Sequence, residues 1–110
     1  HIASLFPNAA GVRERDRLVI PVRNSPKPPP ERLSLTLPVI NSAARVWMVL
    51  AGADKASALG LALAGASVDE VPVAGVRARR TTIYWVDGDA AAEVPESLID
   101  PGEFWTAADE

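Results

Sequence analysis

The chain has a single histidine, His1, which stands directly before the run Ile2-Ala3-Ser4-Leu5-Phe6-Pro7. Imidazole changes protonation near neutral pH, so it can take a proton from water as that water attacks a carbonyl. Three further segments place cations where an anion could bind. Lys27 and Arg32 lie in Ser25-Pro26-Lys27-Pro28-Pro29-Pro30-Glu31-Arg32, a loop stiffened by proline. Lys55 follows Ala51-Gly52-Ala53-Asp54, where a strand turns into a helix. The unpaired backbone N–H groups and dipole at such a helix start attract anions. A lysine there opposes the dipole unless an anion comes between them. Arg77-Ala78-Arg79-Arg80 is a cationic cluster before a strand. Each segment also has a plainer reading. The histidine can serve packing, the loop cations can be solvated, and Lys55 can point into water at a cost below about 1 kcal/mol. The arginine cluster reads as a solvated or ion-pairing patch.

Composition narrows the chemistry. The sequence of 110 residues has no cysteine, which excludes disulfides, thiolate nucleophiles and cysteine metal sites. One histidine cannot build a histidine-rich metal site, and no cofactor is expected. The net charge of −3 is uneven: residues 93–110 carry six acids and no bases, and residues 1–92 carry eleven bases against eight acids. That body suits small anions. No basic stripe is interleaved with stacking rings, so nucleic acid is not an expected partner. No apolar run approaches the roughly 20 residues that span a bilayer, so no membrane partner is expected and the cytoplasm is the expected compartment. The only methionine is Met48, and His1 is expected to be an internal residue of a longer protein.

The elements that must position these groups follow from pattern. The alternating charges of residues 12–17 read as a solvated surface segment. Leu18-Val19-Ile20 with Val22 reads as a buried strand. Leu33, Leu35 and Leu37 alternate with polar residues at a strand period. Pro38 opens a short helix to Ala44. Arg45 to Ala51 is a continuous apolar run, expected as a parallel strand covered on both faces. Lys55 to Ala64 has Ala56, Leu59 and Leu63 at helical spacing, with Gly65 as a stop. Pro72 and Gly75 mark a loop, and Thr81 to Val86 is a strand. Asp87 to Glu93 reads as a short helix capped by Asp87 or Asp89. The segment after Val94 reads as an extended tail packing through Phe104 and Trp105. Strands alternating with helices give an α/β class with a mostly parallel sheet. Too few strands are present for a stable doubly wound domain, so the rest of the sheet is expected from an N-terminal half.

Taken in order, these segments resemble the 6-phosphogluconolactonase family. His1 to Pro7 matches its Gly-His-Thr/Ile-Ala-Ser-Leu-Phe-Pro motif, and Ser25 to Pro38 its Ser-Pro-Lys-Pro-Pro-X-Arg loop followed by Leu/Ile-Thr-Leu-Thr-Leu-Pro. Gly52 to Ala56 matches its Gly-X-X-Lys-Ala turn, and Tyr84 to Asp87 with Ala90 to Ala92 its last motif. The resemblance covers residues 1–92 and leaves an acidic tail, 93–110. It implies the C-terminal portion of a Rossmann-like three-layer α/β/α fold. It also implies hydrolysis of 6-phospho-D-glucono-1,5-lactone to 6-phosphogluconate in the oxidative pentose phosphate pathway. The roles it implies are His1 as general base, Lys55 as phosphate ligand, and Lys27 and Arg32 as cations bordering the site. The family's Gly-X-Asp-Gly before the histidine and its N-terminal Gly-rich loop are absent from this chain. The fragment alone is therefore expected to be inactive and to need the N-terminal half of the same protein as partner. Two alternatives stand beside this one. A glucosamine-6-phosphate isomerase or deaminase is similar around Gly-His-Ile-Ala but continues Phe-Asn-Glu-Pro, whereas Ser4-Leu5-Phe6-Pro7 lacks that carboxylate. A non-catalytic sugar-phosphate-binding domain would keep the fold without the chemistry.

Overall fold

The computed structural model describes residues 1–99. The expected packing of Phe104 and Trp105 lies outside the described residues. The chain is α/β, and the strands among the described residues form two pairs. Strands β1 (Val19–Val22) and β2 (Arg32–Leu35) are antiparallel, with Ile20 opposite Ser34. Strands β3 (Arg45–Leu50) and β4 (Thr81–Val86) are parallel, with Val46 opposite Thr82 and Leu50 opposite Val86. Helix α1 (Leu37–Asn41) joins β2 to β3, and helix α2 (Ala56–Leu63) lies in the crossover from β3 to β4. Parallel neighbours need such a crossover because a tight turn cannot join them. No helix among the described residues is long and apolar enough to cross a membrane.

The leucine alternation runs against its expected sense. The strand stops at Leu35, and Leu33 is 78% exposed while Ser34 and Thr36 are buried. The two hydroxyls make this possible. Ser34 Oγ accepts the Ser4 N–H at 2.8 Å and donates to the Leu35 carbonyl at 2.7 Å. Thr36 Oγ1 donates to the Arg17 carbonyl at 2.7 Å. A buried hydroxyl with partners avoids the penalty of an orphaned one. Leu37 then turns inward as the first residue of α1, followed by Pro38. The helix ends three residues before the expected Ala44, where Ser42 Oγ and N–H both bond the Val39 carbonyl at 2.6 and 3.1 Å.

Strand β3 has the expected range to within a residue, but it is not covered on both faces among the described residues. Val46, Met48 and Leu50 are half-buried, whereas Trp47 is 54% and Val49 80% exposed. Trp47 packs edge-on against Trp85 of β4, with ring centroids 5.8 Å apart. Asp87 to Glu93 is also not a helix. It is a chain of turns, with the Ala91 N–H on Asp87 O and the Val94 N–H on Ala91 O. Helix nucleation is costly, and few residues lie between Gly88 and Pro95 to repay it. The charged stretch at 12–17 begins inside a 3₁₀ turn, Ala10–Arg13, whose Val12 is fully buried.

Candidate active site

His1 is exposed and lines an open cavity of about 420 Å³ with β3 residues Val46 to Leu50 and with Leu37 and Ile40 of α1. Its segment is laid along β2. The Leu35 N–H donates to Ile2 O at 3.2 Å, and the Ser4 N–H donates to Ser34 Oγ two positions further on. The far end is fixed by the Asn8 N–H on Asp69 O at 2.7 Å.

The loop carrying Lys27 is joined to the same segment through Arg32. Four of its residues are proline, which have no N–H, so a backbone ladder cannot serve its carbonyls. Ser25 closes it, with its N–H on Pro30 O at 2.9 Å and its Oγ donating to Lys27 O at 2.8 Å. Arg32 supplies the remaining donors. Its guanidinium bonds Lys27 O, Pro28 O and Pro29 O at 2.7, 2.9 and 3.0 Å, and Ser4 Oγ at 3.3 Å. It also lies 5.5 Å from the Phe6 ring centroid. Lys27 itself is exposed.

Lys55 is placed by a different element, at the carboxyl end of β3. Gly52 has φ 97° and ψ 152°, a backbone state open in practice only to glycine. A 3₁₀ turn, Ala53–Lys55, then leads into α2, with the Lys55 N–H on Gly52 O at 3.2 Å. The side chain is 44% exposed, and its Nζ is 3.9 Å from the Asp54 carboxylate. An exposed pair at that length contributes little, so the ammonium is available to an anion. Lys55 is not among the residues lining the cavity of His1. Thus the structure groups His1's segment, Lys27's loop and Arg32, and sets Lys55 apart at the end of the parallel pair. In open α/β sheets ligands bind beyond the carboxyl ends of strands, which is where the Gly52–Lys55 turn lies.

Asp87, read from the sequence as a helix cap and as part of the last motif, also meets the turn that carries Lys55. It caps no helix, because a chain of turns follows it, but its Oδ1 accepts the Ala90 N–H at 2.8 Å. The same carboxylate also accepts the Gly52 N–H, at 3.2 Å to both oxygens. These two backbone donors, Ala90 first, hold its pKa below the usual carboxylate value. The end of β4 is thereby tied to the turn that carries Lys55. Arg77 to Arg80 is pinned rather than free: Arg79 Nε donates to Ser42 O at 2.7 Å, and the Arg77 N–H donates to Asn41 Oδ1.

The sequence model of the family described as "Glucosamine-6-phosphate isomerases/6-phosphogluconolactonase" matches residues 1–85. The chain belongs to this family. His1, Lys27, Arg32 and Lys55 all fall within the matched span. The 6-phosphogluconolactonase of Streptomyces coelicolor is 52% identical over 101 residues, covering 92% of this chain and 39% of that protein. The human 6-phosphogluconolactonase is 39% identical over 94 residues, covering 86% of this chain and 36% of that protein. The crystal structure of the devB protein matches the fold with a TM-score of 0.68 at 26% identity, over 84% of this chain and 39% of that one. The chain therefore spans well under half the length of the relatives it matches.

Proposed function

We propose that this chain carries part of the active site of a 6-phosphogluconolactonase, which hydrolyses 6-phospho-D-glucono-1,5-lactone to 6-phosphogluconate in the pentose phosphate pathway. The observation that carries the reading is the 52% identity to a relative of that name across 92% of the chain. The remainder of the site comes from the part of such a protein that this chain does not match. The family also includes glucosamine-6-phosphate isomerases, but Ser4-Leu5-Phe6-Pro7 has no carboxylate for ring opening.

The chemistry needs few groups. A δ-lactone is an activated ester. Neutral His1 takes a proton from water while the water oxygen attacks the lactone carbonyl. The tetrahedral intermediate collapses by breaking the bond to the ring oxygen, and the imidazolium returns the proton to that oxygen. The products are a hydroxyl and a carboxylic acid on one open chain, and the acid releases its proton to solvent to become the carboxylate. No covalent enzyme intermediate forms. Lys55 holds the phosphate, and that binding sets the distance between the carbonyl and His1. Lys27 borders the site from the proline loop, on the side of the His1 segment.

The test separates His1 from Lys55 in the complete enzyme, with spontaneous lactone hydrolysis subtracted. His1→Asn lowers turnover by about a hundredfold or more with little change in KM. Lys55→Ala mainly raises KM, by the loss of a charge-assisted contact of about 1.5–3 kcal/mol, and abolishes the preference for phosphorylated lactone. Near-normal turnover in His1→Asn, or the same binding defect in both variants, overturns the mechanism.

A further inference from the structure

We propose that Arg32 is a positioning residue, which presents Lys27 and holds its loop on the His1 segment without meeting the substrate. A guanidinium has five N–H donors in a planar fork. Arg32 commits Nε to Pro29 O, both donors of Nη2 to Lys27 O and Pro28 O, and one donor of Nη1 to Ser4 Oγ. One N–H is left, and the Phe6 ring lies beside the guanidinium. The loop has few backbone donors of its own. Residues 26, 28, 29 and 30 are proline, and three consecutive carbonyls turn toward one side chain. The same side chain reaches Ser4, whose N–H is bonded to buried Ser34 on β2. Loop, His1 segment and strand are therefore joined through one group. Lysine cannot replace it, because one ammonium does not span three carbonyls and a hydroxyl in a plane.

The inference rests on the lactonase reading for its kinetic arm only; its exchange arm does not. In the complete protein, Arg32→Lys and Arg32→Ala are compared with wild type by amide hydrogen exchange at Ser25 and Lys27. These N–H groups bond Pro30 O and Ser25 Oγ within the loop. Exchange at both accelerates by about tenfold or more in each variant. In kinetics on phosphorylated lactone, both variants raise KM by about tenfold with kcat within about threefold, and neither adds to the defect of Lys27→Ala. Unchanged exchange in Arg32→Lys overturns the proposal. So does recovery of wild-type KM in Arg32→Lys, or an effect that adds fully to Lys27→Ala, because a direct charge contact would behave that way. If the Ala variant does not fold, Arg32→Lys carries the test. If wild type does not hydrolyse the lactone, the lactonase reading fails and exchange alone decides on Arg32.

Discussion

Gly52→Ala is the sharpest test of how the Lys55 turn is held. Two costs compete at this position. A Cβ on Gly52 would lie 2.9 Å from Asp54 Oδ1, a severe overlap on paper. Asp54, however, has a side chain 77% exposed, and it can rotate away at little cost. The backbone cannot. With φ 97° and ψ 152°, Gly52 occupies a region where a side-chain-bearing residue pays about 1–3 kcal/mol. Relief by flipping the turn would sacrifice two bonds, Gly52 N–H to Asp87 and Lys55 N–H to Gly52 O, each 3.2 Å long. Both routes lower stability by about 1–3 kcal/mol, and the flip also moves Lys55. Urea denaturation of the complete protein reads the first effect, with the m-value unchanged; affinity for the phosphorylated ligand reads the second. Gly65→Ala and Gly88→Ala are the controls. A Cβ at either meets nothing within 4 Å, but Gly65 has φ 88° and Gly88 has no positive φ. Gly88→Ala should stay within about 0.5 kcal/mol of wild type, while Gly65→Ala should pay for its backbone alone. If Gly52→Ala matches Gly88→Ala in both assays, the backbone argument is wrong.

Two further outcomes probe the supports around the site. Thr36→Val keeps the branched shape but removes the hydroxyl that donates to Arg17 O; the loss should be about 1 kcal/mol, read by urea denaturation, and a more stable Val variant would refute the hydroxyl's role. Asp87 has its folded pKa lowered by the Ala90 and Gly52 N–H groups. Its stabilisation is therefore present above the unfolded carboxylate pKa of about 4 and is lost as pH falls through the lower folded value. Asp87→Asn should flatten that part of the acid limb of stability, measured by denaturation over a pH series; parallel profiles for the two proteins would remove Asp87 from the linkage.

What could be read from the sequence was local, and what could not depended on partners far along the chain. The apolar run of β3 and its glycine exit are legible because run length and a turn residue belong to one short window. So are β4 and, in α2, buried Ala56 and Leu59, although Leu63 of the same expected face is 38% exposed. The burial of Ser34 and Thr36 was not, because it is decided by Ser4 and by Arg17, residues on other segments. The exposed side of β3 was not legible either: continuous apolarity says that both faces avoid water somewhere, without saying what covers each. The same distinction separates the two cations that look alike in the sequence. Lys55 and Arg32 each follow a turn-forming segment and each reads as an anion ligand. Among the described residues Lys55 meets one distant carboxylate, at 3.9 Å, which leaves its charge open to an anion. Arg32 bonds three carbonyls of the proline loop and Ser4 Oγ, so four of its five donors are already committed. The proline run that makes the loop recognisable also creates the demand for those donors, and that demand assigns Arg32 to the loop.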